Sequence, residues 1–160
     1  MSEKNGEHQF GDLGQLILFV LFFVVWAADS FFLRKSTFLS THIPLAIHLV
    51  ASAIILGTSV YLVAQGHVVI DHREEPKRLI TTGIFAYVRH PLYLACVLFY
   101  LALAISTISL ISLVLVAGIF IFYNFLAGYE ERLLEALFGE EYSTYKKRTG
   151  KWAPRVFRKT

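Results

Sequence analysis

Two charged clusters flank the longest apolar stretch of the chain, and their residue types suit the binding of a small molecule that carries both charges. Arg89 and His90 stand before this stretch, residues 92–129 contain no Asp, Glu, Lys, Arg or His, and Glu130 and Glu131 follow it directly. A guanidinium and an imidazole favour a carboxylate, whereas a carboxylate favours an ammonium group. If the two clusters meet, they could hold an amino-acid zwitterion by its two ends.

Pro91 is expected to begin a helix, because its missing N–H costs nothing in the first helical turn. Arg89 and His90 would then lie at the positive end of that helix, facing water on the cytoplasmic side, where they could bind an anion. An alternative stays open on these residues alone. Basic residues at the mouth of an apolar segment also serve as anchors that fix its orientation in a membrane.

The glutamate pair is expected on the same membrane face as His90, because the apolar stretch between them is long enough to cross a bilayer and return. Acidic groups near lipid are costly unless they are paired or bind something. Glu130 and Glu131 could therefore bind a ligand's ammonium group. They could equally form a salt bridge with Arg89 or stand as a solvated helix start.

The elements that must position these clusters are membrane helices. Hydrophobic residues make up 56% of the chain and charged residues only 17%, in clusters that leave long charge-free windows. A span needs about 20 apolar residues. This pattern predicts one all-α integral membrane domain, residues 1–160, with four crossings. The predicted crossings are 13–33, 43–65, 92–107 and 108–127, with "STIS" (106–109) at the tip of the last hairpin.

The lysines and arginines predict that both termini are cytoplasmic. With four crossings, the N-terminus, the second loop and the tail share one side and carry 13 of the 15 basic residues, which the positive-inside rule places in the cytoplasm. The tail from Glu130 onward is expected to be an amphipathic cytoplasmic helix at the membrane surface, with Gly139 as a possible interruption. Tyr142 and Tyr145 are expected at the membrane interface.

The other polar residues within the spans are expected to be structural. Asp29 is expected to form a local ion pair with Arg34 or to lie at the interface, and His48 to hydrogen-bond across helices. His67 and His72 lack a third ligand at useful spacing, so no metal site is expected. In the loop before Pro91, Gly83 permits a corner with positive φ.

Two motifs together resemble the isoprenylcysteine carboxyl methyltransferase family and its phospholipid N-methyltransferase relatives. They are "KRLITTGIFAYVRHPLY" and "EERLLEALFGEEYSTYKKRTGKWAP", and the resemblance covers roughly residues 74–154. It implies a small membrane enzyme that uses S-adenosylmethionine and acts on a lipid or lipidated substrate in the bilayer, with no nucleic-acid partner. Isoprenylcysteine-like carboxyl methylation is favoured over phospholipid amine methylation. The rival from another class is a non-enzymatic membrane protein whose charges only set its topology.

The resemblance also implies which residues bind the cofactor. The "KRLI" stretch would line the site, Phe85 would provide a ring for the adenosyl group, and Arg89 and Glu131 are the candidates for a catalytic role. Glu131 is slightly favoured over Glu130 as the partner of the ligand's ammonium group, because its spacing from His90 fits the family pattern better. The full implied cofactor set is Lys77, Arg78, Leu79, Ile80, Phe85, Arg89, His90, Pro91, Leu92, Tyr93, Glu130 and Glu131. One departure concerns the substrate: isoprenylcysteine enzymes typically carry an arginine shortly before the glutamate pair, and residues 124–129 (NFLAGY) contain none.

Overall fold

A computed structural model describes residues 3–71 and 78–155, with side chains described for 13–68 and 78–155. These residues form helices and turns, and the one β-contact among them is an isolated bridge between Val88 and Gly150. The α-helices are α1 (Glu3–Ala27), α2 (Leu45–Asp71), α3 (Pro91–Thr107), α4 (Leu110–Phe138) and α5 (Glu140–Arg148). A π-helical turn (Ala28–Leu33) extends α1, and 3₁₀ turns cover Phe38–Thr41 and Gly83–Ala86.

Three helical segments are long and apolar enough to cross a membrane: Leu13–Leu33, Leu45–Val68 and Leu110–Phe138. The chain is therefore a multi-pass, all-helical membrane protein, as the sequence predicted. Helix α3 is apolar but has only 17 residues, about 26 Å at 1.5 Å per residue. A fourth crossing through α3 stays a prediction.

The turn between α3 and α4 lies where the sequence predicted it. Helix α3 ends at Thr107, α4 begins at Leu110, and Ile108 takes a positive φ of 49° between them. This turn supports a hairpin rather than one long helix.

Helix α4 extends beyond the predicted end of the last span. We expected the span to end at residue 127 and a separate amphipathic helix to begin at Glu130, but α4 runs without a break to Phe138. Both glutamates are part of this helix, which glutamate favours by its intrinsic propensity, and Glu131 pairs there with Arg89. Gly139, with φ of 52°, ends α4, and the short helix α5 follows.

The chain divides into two compact units: Met1–Ile54 with Tyr100–Phe122, and Ile55–Phe99 with Tyr123–Thr160. In the first unit the buried Asp29 carboxylate accepts hydrogen bonds from the hydroxyls of Ser36 and Ser109. Within the described residues its side chain is not paired with Arg34, which instead caps the π-helical turn through its backbone N–H. The expected ion pair is therefore replaced by hydroxyl donors, which neutralise less charge but satisfy the carboxylate.

Polar side chains also hold α2 against α3. His48 Nδ1 lies 2.7 Å from the carbonyl oxygen of Ser106, which confirms the predicted hydrogen bond across helices, and Ser52 Oγ donates to Ala102 O at 2.8 Å. In the second unit Ser59 Oγ donates to Ala95 O at 2.7 Å. Each hydrogen bond joins a side chain to a backbone carbonyl of the neighbouring helix, so both helices keep their own backbone hydrogen bonds.

Candidate functional site

The loop before α3 turns sharply at Gly83 and is then hydrogen-bonded to the C-terminal tail of the chain. Gly83 takes the positive φ that the sequence predicted, 59°, at the start of a 3₁₀ turn. Tyr145 Oη then donates a hydrogen bond to the carbonyl oxygen of Phe85 at 2.6 Å, and the N–H of Arg89 donates to Gly150 O at 2.9 Å. The loop and the tail therefore form one support for the residues that precede Pro91.

Gly150 makes this attachment possible because the backbone folds tightly over it. A Cβ atom at this position would overlap the carbonyl oxygen of Ala153, which is backbone and cannot rotate away. We expect Gly150→Ala to lower the melting temperature in detergent by several degrees, since roughly 1–3 kcal/mol is typical of forced overlap. Gly57→Ala is the control, because nothing lies within 4 Å of a Cβ there; equal melting curves for both variants would contradict this description of the tail.

Arg89 and Glu131 form a buried ion pair where the loop before α3 meets the tail of the chain. Their side chains are 7% and 8% exposed, and both Nε and Nη2 of Arg89 donate to Glu131 Oε1, at 3.0 and 2.8 Å. Nη1 of Arg89 donates to the carbonyl oxygens of Lys146 and Thr149. The guanidinium thus joins the start of α3, the end of α4 and the end of α5. The salt bridge to Arg89, one of the two alternatives for the glutamate pair, is confirmed for Glu131.

His90 lies between the two glutamates. Its Nε2 is 3.2 Å from Glu131 Oε1 and its Nδ1 is 3.5 Å from Glu130 Oε2. The ring stacks on Tyr93 with centroids 5.7 Å apart and planes 6° apart. We expected Arg89 and His90 to face water, but both side chains are buried because α5 and the tail cover them. Glu130 differs from its neighbour, since its side chain is 46% exposed.

Lys146 adds a second cation beside Glu131. Its Nζ lies 2.9 Å from Glu135 Oε1 and 3.4 Å from Glu131 Oε2. The hydrogen bond to Glu135 is the main cause that raises the pKa of Lys146, and the charge of Glu131 adds to it. Glu131 is therefore in contact with three basic side chains, Arg89, His90 and Lys146, whereas Glu130 contacts His90.

A cavity of about 310 Å³ lies beside this network. It has polar and charged side chains next to apolar and aromatic ones. The described residues that line it are Arg78, Leu79, Ile80, Phe85, Arg89, His90, Pro91, Leu92, Tyr93, Glu130, Leu134, Phe138, Tyr142 and Tyr145. Sites for small molecules commonly have this mixture, with a volume of about 300–1,000 Å³.

Ten of the twelve residues that the sequence assigned to a cofactor line this one cavity. Glu131 is brought to the same place but is turned into the ion pair with Arg89 and is not among the described lining residues. Lys77 lies outside the described residues. The arrangement agrees with the predicted grouping, while the binding role of each residue stays a prediction.

Sequence reasoning missed four lining residues, and two of these are tyrosines that it placed at the membrane interface. Tyr142 and Tyr145 are 1% and 5% exposed, so both rings are packed inside the protein, and their expected position at the membrane interface stays a prediction. Burial raises the pKa of the Tyr145 hydroxyl to about 12. The available signal was their three-residue spacing on α5, which puts both rings on one side of a helix. Leu134 and Phe138 show the same kind of signal at four-residue spacing on α4.

The stretch that lacks the family arginine is contacted by the tail. Lys151 Nζ donates to the carbonyl oxygen of Asn124 at 3.0 Å, and Trp152 Nε1 donates to Asn124 Oδ1 at 3.1 Å. Lys151 Nζ would also lie 3.7 Å from a Cβ at Gly128. Burial lowers the pKa of Lys151. The ammonium group of Lys151 therefore lies against residues 124–128, although that stretch of sequence contains no lysine or arginine of its own.

Comparison with known proteins assigns this arrangement to a family. The profile described as phospholipid methyltransferase matches residues 39–141, which include the His90–Pro91 motif and both glutamates. This match covers well over half of the chain. The chain belongs to the phospholipid methyltransferase family. Family membership confirms the resemblance that the two motifs indicated.

The relatives that this family member matches are methyltransferases by name. The Saccharomyces cerevisiae protein-S-isoprenylcysteine O-methyltransferase is 33% identical over 91 residues, 55% of this chain and 37% of the relative. Methanethiol S-methyltransferase 1 of Bradyrhizobium diazoefficiens is 35% identical over 79 residues, 49% of this chain and 27% of that protein. The chain thus spans less than two-fifths of the length of either relative. No solved structure matches it significantly.

Proposed function

We propose that the protein is a membrane methyltransferase that takes a methyl group from S-adenosylmethionine and transfers it to a lipid or lipidated acceptor. Carboxyl O-methylation of an isoprenylcysteine-like group is the favoured reaction. Family membership and the names of the relatives support the reaction class. The observation that carries the proposal is the cavity, in which the half-exposed carboxylate of Glu130 shares one space with apolar and aromatic walls.

The donor set of the cavity fits S-adenosylmethionine, which combines an amino-acid zwitterion with a flat adenosyl group. Glu130 would accept hydrogen bonds from the ammonium group, because its carboxylate is accessible and contacts only His90 among the described ion pairs. Leu79, Ile80 and Phe85 would pack on the adenosyl group. Arg78 and, by the resemblance, Lys77 would bring positive charge to the same wall.

Arg89, His90 and Glu131 would act mainly by holding this wall in place. Arg89 already donates to Glu131 and to two backbone carbonyls, so direct binding of a ligand would require it to give up buried partners. His90 connects the ion pair to Glu130. The sequence favoured Glu131 slightly as the ammonium partner, but the geometry favours Glu130.

When bound, S-adenosylmethionine supplies an electrophilic sulfonium methyl group. The chain must then hold the acceptor in line with that methyl group and about 3–3.5 Å from it, and exclude water. A carboxylate acceptor attacks without a base, whereas a protonated amine must first lose a proton. Glu130 is the one carboxylate among the described lining residues, and the proposal assigns it to the ammonium group.

Helix α4 offers a path from the bilayer to the cavity. Leu134 and Phe138 line the cavity, while Leu133 and Leu137, one position earlier on the same helix, are 51% and 72% exposed. Adjacent helical positions differ by about 100° in direction. The cavity wall therefore continues into an apolar surface that suits lipid, which supports a lipid or lipidated acceptor over a water-soluble one.

Phospholipid amine methylation is the second candidate, favoured by the name of the matching family. The test is methyl transfer from radiolabelled S-adenosylmethionine to a prenylated cysteine analogue and, separately, to phosphatidylethanolamine vesicles. We expect base-labile methyl ester on the prenylated analogue. Label that is stable to base and attached to the phospholipid headgroup would favour the second candidate, and no label on either acceptor would oppose both.

The orientation of the protein is part of the same proposal, because the cofactor is made in the cytoplasm. We propose that both termini and the cavity face the cytoplasm, with four crossings, from the distribution of 13 and 2 basic residues. Reporter fusions after residue 37 are expected to score outside, and fusions after residue 78 and at the C-terminus inside. A C-terminal fusion that scores outside would contradict this topology.

A further inference from the structure

The hydroxyl of Tyr142 is a buried polar group without a hydrogen-bond partner in the part of the chain that the structure describes. The side chain is 1% exposed, and it lines the cavity next to Glu130 and Tyr145. A buried hydroxyl that lacks a partner costs roughly 1–3 kcal/mol, so such groups are rare in native proteins. Because Tyr142 lies in the wall of a ligand-sized cavity, a molecule bound there, or a water that it displaces, can supply the missing partner.

The neighbouring Tyr145 differs from Tyr142, because its hydroxyl has a hydrogen-bond partner within the protein. The two rings lie 5.9 Å apart on the same side of α5, and both line the cavity. Tyr145 Oη donates to the carbonyl oxygen of Phe85 at 2.6 Å, so its hydroxyl is used within the protein. Tyr142 has the same chemistry and no such bond. The hydroxyl of Tyr145 therefore stabilises the fold through a hydrogen bond, whereas the hydroxyl of Tyr142 makes no described hydrogen bond that would do so.

The surroundings of Tyr142 define which hydrogen bond it can offer. Burial is the main cause that raises the pKa of the Tyr142 hydroxyl above its usual value, and the nearby negative charge of Glu131 adds to it. The phenol is therefore neutral at physiological pH and keeps its proton. It can donate one hydrogen bond, and Glu130 and Arg89 line the same cavity.

We propose that Tyr142 is a ligand-binding residue whose hydroxyl donates a hydrogen bond to the carboxylate of the cofactor's amino-acid end. This inference rests on the proposed use of S-adenosylmethionine. Glu130, an acceptor, would take the ammonium group at that end, so a donor is needed for the carboxylate. Two arginines line the cavity: the described hydrogen bonds of Arg89 go to Glu131 and to backbone carbonyls, and the proposal places Arg78 at the wall that packs on the adenosyl group. Tyr142 is the buried donor in the wall that has no other partner.

The test uses the full-length protein in detergent and S-adenosylhomocysteine as the probe, with binding measured by calorimetry. Tyr142→Phe is expected to weaken binding by about ten-fold, the size of a lost hydrogen bond to a charged group. Its melting temperature without ligand is expected to stay equal or rise, because the variant removes an unpaired buried hydroxyl. Tyr145→Phe is the matched control: it loses the bond to Phe85 and is expected to melt lower than the wild type, with less loss of affinity.

A second probe tests the carboxylate itself. The decarboxylated analogue of S-adenosylhomocysteine keeps the ammonium group and the nucleoside, so Tyr142→Phe is expected to change its affinity by less than about two-fold. Equal losses for both probes would place the hydroxyl on another part of the ligand and overturn the inference. So would a Tyr142→Phe variant that melts lower and binds both probes like the wild type. A wild-type protein that binds neither probe would instead overturn the proposed function on which the inference rests.

Discussion

Arg89→Ala is expected to lower the melting temperature in detergent by roughly 6–20 °C, the largest stability effect of any single change considered. Breaking a buried ion pair by removing one partner typically costs about 3–5 kcal/mol, because the other charge stays buried without compensation. Here that charge is Glu131, whose side chain is 8% exposed and would keep only its longer contacts, with His90 at 3.2 Å and Lys146 at 3.4 Å. The variant also frees the carbonyl oxygens of Lys146 and Thr149, so it loosens α3, α4 and α5 where they meet.

Arg148→Ala is the control for Arg89→Ala. Arg148 is an exposed arginine in the last turn of α5, so its removal is expected to change the melting temperature by less than about 2 °C. The sequence suggested instead that Arg89 binds the ligand directly. An Arg89→Ala variant that melts like the wild type but binds S-adenosylhomocysteine much more weakly would favour that role over the structural one described here.

Glu130→Gln is expected to weaken S-adenosylhomocysteine binding by roughly 10- to 150-fold, with little change in melting temperature. The substitution keeps the size of the side chain but removes the charge that would face the ligand's ammonium group. Because Glu130 is 46% exposed and pairs with His90 at 3.5 Å, its charge adds little to the stability of the fold. Calorimetry and thermal melting on the same preparation separate the two effects.

Glu131→Gln is the matched comparison, since it makes the same chemical change one residue away. It is expected to melt several degrees lower than the wild type, because the buried guanidinium of Arg89 would lose its counter-charge. If Glu131→Gln instead lost affinity at normal stability, and Glu130→Gln bound normally, the assignment of the two glutamates would be reversed. That outcome would restore the preference that the sequence spacing gave.

Much of the site was predictable because it depends on local chemistry. Pro91 begins α3 as its fixed φ and missing N–H suggested, and Gly83 takes the positive φ expected of it. The return of the chain between the two charged clusters followed from the length of an apolar stretch that is free of charge. These features require only neighbouring residues or the thickness of a bilayer.

The unpredicted features depend on which partners the folded chain brings together. The charge of Glu130 and Glu131 suggested the end of a span, but α4 continues through both, and Glu131 pairs with Arg89, 42 positions earlier. Tyr142 is of a residue type that is typical of membrane interfaces, and only the packing of α5 shows that its side chain is buried. For Asp29 the sequence suggested Arg34 or the interface, because its actual donors, Ser36 and Ser109, are 7 and 80 positions away. The periodicity of the sequence does not show which residues far apart along the chain will form a hydrogen bond or an ion pair.

The most direct test of this account is calorimetric titration of the wild-type protein in detergent with S-adenosylhomocysteine. A cavity that holds the zwitterion with Glu130 and the adenosyl group on apolar walls is expected to give one site with a dissociation constant in the micromolar range, about −7 to −8 kcal/mol of binding free energy. The same titration with Glu130→Gln should give much weaker binding. Absence of heat up to millimolar ligand, in a protein that melts cooperatively, would contradict the cofactor site and favour a membrane protein without this enzymatic activity.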